Sequence, residues 1–456
     1  MKLVIVGGVA GGASAAARAR RLDEKAEIVI LERGPDLSFA NCGLPYYLGG
    51  EIQQRTKLLV TPLERLRVRY KLDARPGSEG ITLVERNRQL LMPFDSEMTT
   101  PLVKVMRAKG VELILGGKVV AIESANDDLL RVRLGDGSTR TCGLVLAGIG
   151  VEPESHLASE CGLEIGARGA IRVDGGMRTS DPDIYAAGDV VEVIDTVTRQ
   201  AGVVPLGGPA NRQGRIAADH IFGKKTSYRG TQGTAIVRVF DLTAACTGAS
   251  EKSLKKLGIP HRAAYLHPAN HAGYYPGARQ MSLKILFDPD QGKVLGAQAV
   301  GGEGVDKRID VLAMAIQGKM TVYDLEEAEL CYAPPYGSAK DPVNMAGFIC
   351  AGILRGDQPQ VTVAELNALL VQGAIGSLVD VRGADEFERG HLPGAINLPV
   401  DELRGRLSEV PSGRIAVYCQ VGMRGYLATR ILMADNREVV NLSGGYHAWE
   451  LFQGVE

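Results

Sequence analysis

Lys2-Leu3-Val4-Ile5-Val6-Gly7-Gly8-Val9-Ala10-Gly11-Gly12 is the stretch whose reading decides the fold. A short apolar strand runs straight into a glycine loop, and the alanine-rich segment from Ala13 to Leu22 continues it as a helix. The next apolar strand, Ile28-Val29-Ile30-Leu31, ends at Glu32. That places a carboxylate about 20 to 25 residues after the loop, where it can accept hydrogen bonds from an adenosine ribose. A strict G-x-G-x-x-G would have glycine at position 9, where this chain has Val9. The loop alone is weak evidence, and a tight βα turn is the bland alternative. Strand, loop, helix, strand and terminal acid together predict a βαβ dinucleotide-binding unit.

Outward from that unit, 456 residues are too many for one ordinary core and argue for about three domains. The net charge of -1, with both signs mixed, gives no reason to expect a nucleic-acid partner. Fifty-seven glycines against 5% aromatics suit an α/β protein built on tight βα turns. The first strand enters its loop with no room for a signal peptide, and no apolar run is long enough to span a bilayer. A cytoplasmic protein without a membrane partner is therefore expected. Seven scattered cysteines with no C-x-x-C pair disfavour a disulfide framework or a zinc ribbon.

One of those thiols sits in Ser38-Phe39-Ala40-Asn41-Cys42-Gly43-Leu44-Pro45-Tyr46-Tyr47. Gly43 removes bulk beside Cys42 and Pro45 suits the first turn of a following helix, whose N-terminus would favour thiolate. By itself such a cysteine reads as a small core residue. Far downstream, Thr179-Ser180-Asp181-Pro182-Asp183-Ile184-Tyr185-Ala186-Ala187-Gly188-Asp189 reads as a turn feeding a short strand that ends in Gly-Asp.

With the glycine loop, these two segments resemble the coenzyme A disulfide reductase family, whose members carry FAD and cycle one cysteine between thiolate and a mixed disulfide with coenzyme A. The resemblance implies that Cys42 is the nucleophile. It implies that Gly7, Gly8, Val9, Ala10, Gly11, Gly12, Glu32, Arg33, Asn41, Gly188 and Asp189 hold FAD. It implies that Ser14, Arg18, Arg21, Ser38, Asn41, Arg69, Asn211 and Lys340 line a coenzyme A site. Arg18 and Arg21 lie three apart on a helix, a geometry suited to phosphates, although solvated surface arginines fit equally well.

The pattern breaks after Tyr70-Lys71-Leu72-Asp73-Ala74-Arg75. Ile81-Thr82-Leu83-Val84, ending in Glu85, looks like the second strand of an NAD(H) Rossmann unit, with Glu85 as its ribose carboxylate. No glycine loop precedes it. A complete second unit needs on the order of 80 to 100 more residues here, so an internal deletion is the economical reading, and NAD(P)H binding is left open. Residues 94 to 109 read as a helix, and Gly110-Val111-Glu112-Leu113-Ile114-Leu115 and Leu144-Val145-Leu146-Ala147 as strand-like.

The block from about Gly230 to Gly356 resembles the dimerisation domain of these reductases. His267 and His271 are four apart, but Pro268 and Gly273 oppose the helix that would make them a metal pair, and no metal is expected. By resemblance Tyr274 and Tyr332 reach the active site of the opposite subunit in a homodimer and offer a proton or hydrogen bond to a leaving thiolate. On the residues alone, tyrosines packed at an interface fit as well.

A polar linker is expected at Leu354-Arg355-Gly356-Asp357-Gln358-Pro359-Gln360. Beyond it, Leu378-Val379-Asp380-Val381-Arg382, Glu386 to Asn397 and Val417-Tyr418-Cys419-Gln420-Val421-Gly422-Met423-Arg424 closely resemble a rhodanese domain. A strand delivers Cys419 to a loop whose N-H groups can converge on sulfur, and Arg424 adds positive charge. Trp449 is expected to anchor a core.

The expected fold class is α/β. It comprises a two-dinucleotide-binding flavoprotein reductase fold with a truncated second Rossmann unit, an α/β dimerisation domain and a C-terminal rhodanese domain. The expected segments are 1–75 and 148–229 for FAD, 76–147 for the NAD remnant, 230–356 for dimerisation and 361–456 for rhodanese. The expected function is reduction of coenzyme A persulfide, polysulfide or coenzyme A disulfide through Cys42, coupled to sulfur carriage on Cys419. The rival is a sulfurtransferase whose flavin module cannot use NAD(P)H.

Overall fold

The computed structural model describes residues 2–6, 10–23, 25–31, 52, 81–125 and 129–454. Gly7, Gly8, Val9, Glu32, Arg33, Ser38, Asn41, Cys42 and Arg69 lie outside the described residues. In chain order, β1 (Lys2–Val6), α1 (Ala10–Leu22) and β2 (Glu27–Leu31) come first, followed by β3 (Ile81–Glu85), α2 (Ser96–Ala108) and β4 (Val111–Leu115). Three antiparallel strands, β5 (Val119–Ser124), β6 (Leu130–Leu134) and β7 (Thr139–Cys142), precede α3 (Gly207–Ile221).

The next block holds β8 (Ala235–Val239), β9 (Leu242–Gly248), α4 (Glu251–Leu257), β10 (Arg262–Leu266), β11 (Met281–Phe287), β12 (Val294–Gly301), α5 (Val305–Gln317) and α6 (Pro342–Arg355). The last holds β13 (Gln360–Val361), α7 (Val363–Val371), β14 (Ser377–Asp380), β15 (Ala395–Asn397), β16 (Ile415–Tyr418), α8 (Met423–Ala434), β17 (Val439–Leu442) and α9 (Gly445–Gln453).

The chain divides into two compact units. The first takes residues 1–81 and 145–233. In it β1 and β2 pair in parallel with Lys2 opposite Glu27, the register a right-handed βαβ crossover through α1 produces. Helices α1 and α3 cross where Gly11 meets Gly214. A side chain on Gly214 would overlap the Gly11 carbonyl, so the close approach requires glycine there.

The second unit takes residues 82–144 and 234–456. Its five-stranded antiparallel sheet has the order β8-β9-β12-β11-β10, and its five-stranded parallel sheet the order β13-β17-β16-β14-β15. Every residue of β11 and of β16 is buried; β16 is apolar throughout apart from the Tyr418 hydroxyl, as a strand covered on both faces requires, whereas β11 also buries Ser282 and Lys284, each with polar partners. One apolar cluster runs from Phe94, Met98 and Leu102 beside α2, through Cys246, Tyr265 and Val300 of the antiparallel sheet, to Leu378, Tyr418 and Leu442 of the parallel sheet. Trp449 is partly buried and packs against this cluster.

The polar linker at residues 354–360 is exposed at Arg355, Gly356 and Asp357 and tied down at both ends. Helix α6 ends at Arg355, Gly356 adopts the left-handed conformation, Gln358 donates to the Gly352 carbonyl, and Gln360 enters the parallel sheet. Leu144 to Ala147 form no strand, and Leu144 and Leu146 are exposed. A strand needs a neighbour for its N-H and C=O groups, and none pairs with this segment among the described residues. The segment before Asp189 makes only an isolated bridge, Arg178 to Tyr185, instead of a strand.

Candidate active sites

Strand β16 ends at Tyr418 and hands Cys419 to the loop that enters α8. Gly422 has φ +107°, which L residues avoid, and this lets its N-H point back to the Cys419 Sγ at 3.1 Å. The turn Gly444-Gly445 holds the loop from beneath. The N-H of Tyr446 donates to the Cys419 carbonyl and that of His447 to the Gln420 carbonyl. The Gln420 side chain is fixed by Arg382, whose guanidinium also donates to both oxygens of Asp380 and to the Gly390 carbonyl. Arg382 lies 4.3 Å from the Tyr446 ring centroid, so its charge is held by an ion pair and an aromatic face together.

Arg424 faces the sulfur but binds Glu386 through two hydrogen bonds of 2.5 and 2.7 Å. Its charge holds the Glu386 carboxyl down to about 2. Asp380, Arg382, Glu386 and Gln420 all sit inside the quoted motifs. Their supporting contacts to the sulfur loop were not read from sequence, because partners up to 38 residues apart meet only in the fold.

Within the dimerisation block, the Tyr274 and Tyr332 hydroxyls are 3.1 Å apart on the exposed surface. The hydrogen bond to Tyr332 raises the Tyr274 phenol above its ordinary value. Their loops are tied together by Ala272 N-H donating to the Gly337 carbonyl. Buried Arg308 reaches both loops, donating to the Asn270 carbonyl and to Asp341 at 2.8 Å each. Asp341 in turn caps α6 through the Val343 N-H. Arg308 is a positioning residue that nothing in its own neighbourhood of sequence announced. His267 and His271 are both buried, and Lys340 is exposed with its ammonium 6.0 Å from the Phe348 centroid.

In the first unit, Ser14 donates to Asn211 at 2.8 Å, which brings two of the expected coenzyme A residues together. Arg18 is bound to Asp219 at 2.7 Å, so its charge is already matched inside the protein, whereas Arg21 is exposed. Gly188 donates to Gln213, and desolvation raises the neighbouring Asp189 carboxyl although its edge is exposed. A Cβ on Gly11 would come within 3.3 Å of the Ala187 carbonyl, so the glycine-bearing helix start and the Gly188-Asp189 turn lie against each other. A helix N-terminus facing a carboxylate turn fits the pyrophosphate and ribityl groups of a flavin dinucleotide. In the second unit, Glu85 accepts from the backbone and side chain of Asn87, so as placed it is partly engaged.

Asp95, Glu97 and Glu251 have oxygens within 4.8 Å of one another, the spacing a cation would need. The buried Lys284 ammonium bonds all three, at 2.8, 2.6 and 2.6 Å. Burial pushes Asp95 up, but the Lys284 charge and hydrogen bond, together with the N-H groups of Glu251 and Lys252, outweigh it and hold the carboxyl below its ordinary value. The protein's own cation fills this position.

Three family models match the chain. Residues 72–202 match the pyridine nucleotide-disulphide oxidoreductase model, 234–342 the dimerisation domain of that family, and 362–451 the rhodanese-like domain. A coenzyme A disulfide reductase of Staphylococcus haemolyticus is 28% identical over 440 residues, covering 76% of this chain and 98% of the relative. That alignment is longer than the part of this chain it contains, so the relative has residues without a counterpart here. A crystal structure of reduced Bacillus anthracis CoADR-RHD superposes with TM-score 0.90 at 41% identity, covering 100% of this chain and 98% of that one. An NAD-dependent persulfide reductase from A. fulgidus superposes with TM-score 0.86 at 30% identity, covering 98% and 100%.

Proposed function

The chain belongs to the coenzyme A disulfide reductase and persulfide reductase family of FAD-dependent pyridine nucleotide-disulphide oxidoreductases with a C-terminal rhodanese domain, and we propose that it reduces coenzyme A persulfide or polysulfide. The observation that carries this reading is the Cys419 loop, whose Gly422 N-H bonds the sulfur at 3.1 Å beside Arg424. A sulfur so held can be carried as a persulfide, and a sulfur carrier has no task in plain disulfide reduction.

In this reading Cys42 is the single redox thiol. Its thiolate attacks the sulfur-sulfur bond of the substrate and expels thiol or hydrosulfide. Tyr274 and Tyr332, supplied by the partner subunit of a homodimer, donate a hydrogen bond to the departing sulfur. Ser14, Asn211, Arg21 and Lys340 bind coenzyme A, with Arg18 contributing only through its outer face because Asp219 holds the guanidinium. FAD, held by Gly7 to Gly12, Glu32, Arg33, Asn41, Gly188 and Asp189, supplies when bound the electron pair that restores the Cys42 thiolate. In this reading FAD falls on 1–75 and 148–229, the NAD remnant on 76–147, dimerisation on 230–356 and rhodanese on 361–456.

A second reading is favoured by one observation. Among the described residues β3 and β4 form only a two-stranded sheet, and the exposed Leu144 and Leu146 have no strand partner beside it. A flavin module without a complete second Rossmann unit cannot accept electrons from NAD(P)H, which leaves sulfur transfer by Cys419 as the activity. Anaerobic addition of NADH to the purified flavoprotein separates the two. Bleaching of the flavin band is expected for the reductase, and a spectrum that stays oxidised overturns it in favour of the sulfurtransferase.

A further inference from the structure

Strand β17, which pairs with the strand that delivers Cys419, is buried along its whole length and reads Val439-Val440-Asn441-Leu442. Its one polar side chain, Asn441, is 2% exposed and stands in register with Val417, two residues before the reacting thiol. The Asn441 Nδ2 donates to the Gly422 carbonyl at 3.2 Å. That carbonyl also accepts from the Tyr426 N-H at 2.9 Å, the first hydrogen bond of α8. At its other end the same residue gives its N-H to the Cys419 Sγ at 3.1 Å. Gly422 therefore joins the sheet to the sulfur, and Asn441 holds the end away from the sulfur.

The contact is made from two locally unfavourable choices. Asn441 Oδ1 has no hydrogen-bond partner among the described residues, and a buried acceptor left so has lost its water for nothing. Gly425 lies buried in the first turn of α8, where alanine would favour the helix more. A Cβ at Gly425 would overlap Asn441 Oδ1, so the amide needs the glycine. An apolar residue at 441 would remove the unpaired oxygen and leave the Gly422 carbonyl its bond to Tyr426. Local rules broken together beside a reacting group point to function.

We propose that Asn441 is a positioning residue for sulfur transfer at Cys419. By fixing the Gly422 carbonyl it keeps that residue at φ +107° and ψ −28°, the conformation that aims its N-H at the sulfur. The proposal rests on the reading of Cys419 as a sulfur carrier. The held N-H acts when the carrier gives its sulfur away. With cyanide as acceptor, carbon bonds to the outer sulfur of the Cys419 persulfide and the sulfur-sulfur bond breaks with its electron pair on Sγ. The proton of the outer sulfur goes to solvent as thiocyanate departs. Negative charge collects on the atom that the Gly422 N-H faces, so this hydrogen bond strengthens in the transition state. In loading the charge moves the other way. The Cys419 thiolate bonds to the outer sulfur of an organic persulfide, whose proton stays in place, and the electron pair of the broken bond leaves on the donor thiolate. A hydrogen bond to Sγ makes it a better leaving group and a poorer nucleophile, so it favours discharge over loading.

The test uses the full chain, with mercaptoethanol persulfide as donor and, after its removal, cyanide as acceptor. Both steps are followed as the gain and loss of one sulfur on the peptide that carries Cys419. In Asn441→Leu the ratio of the discharge rate to the loading rate is expected to fall about tenfold, with the urea midpoint held. Asn441→Ser, whose short hydroxyl does not span the distance to the Gly422 carbonyl, carries the same expectation should Asn441→Leu fail to fold. A ratio unchanged in the folded variant, whether both steps slow equally or neither slows, overturns the positioning role and leaves Cys419 a carrier. Failure of the wild-type chain to gain sulfur on Cys419 overturns the carrier reading, and the proposal with it.

Discussion

Arg424 is tied to Glu386 by two hydrogen bonds, 2.5 and 2.7 Å long, so the only cation of the sulfur loop is neutralised before any substrate arrives. Arg424 holds the Glu386 carboxyl at about 2, far beneath its ordinary 4.5. A depressed carboxylate contributes its stability above the ordinary value and loses it only as pH falls through the lowered one. The pair therefore persists across neutral pH and dissolves between about 4.5 and about 2. Glu386→Gln frees the guanidinium for anions. The expected outcome is thiosulfate loading of Cys419 raised about tenfold at pH 7, read as persulfide on the peptide.

Lys284 joins Asp95, Glu97 and Glu251 inside the shared core. Replacing it by Met leaves three buried carboxylates without their cation, and a loss of about 3 to 5 kcal/mol is expected in urea unfolding. Asp95 and Glu251 are held below their ordinary values of 3.8 and 4.5, so the wild-type chain loses stability as pH falls through and beneath that range. In Lys284→Met the acid sensitivity should flatten or invert, because the carboxyls then gain by protonation.

Gly214→Ala puts a methyl group into the Gly11 carbonyl at the crossing of α1 and α3. The helices must separate, at a cost of about 1 to 3 kcal/mol. Because Gly11 belongs to the FAD loop in the proposed function, the purified variant should carry less flavin, measured by the ratio of its visible to its ultraviolet absorbance. Gly273→Ala, at a glycine with open space around it, is the control.

Tyr274→Phe removes one hydroxyl of the exposed pair. If the two phenols act together on the leaving sulfur, kcat falls about tenfold to a hundredfold, and Tyr332→Phe added to it costs little more. Steady-state rates with coenzyme A persulfide read this directly.

Burial pushes the Cys246 thiol up to about 11 and that of Cys350 well above its ordinary value. Cys161 and Cys331 are exposed. In the native protein at pH 8, iodoacetamide should label the exposed pair within minutes and leave Cys246 and Cys350 unmodified until the chain is unfolded, as peptide mapping would report.

Motifs whose chemistry lies within a few consecutive residues were legible. The βαβ start, the Cys419 loop and the antiparallel dimerisation block are written in local order, because strand, turn and helix preferences act over short spans. Residues 144–147 were misread for the same reason. Their apolar composition suits a strand, yet strand formation depends on a neighbour that composition does not reveal.

By itself, then, the sequence determined the classes of fold and the local order of the βαβ start and of the Cys419 loop, since each depends on short-range geometry. Only the tertiary structure decided which charges are free. Arg18 is taken by Asp219, Arg424 by Glu386 and Lys284 by three carboxylates. Ion pairing falls off over a few ångströms, and partners such as Arg18 and Asp219 are 201 residues apart until the chain folds.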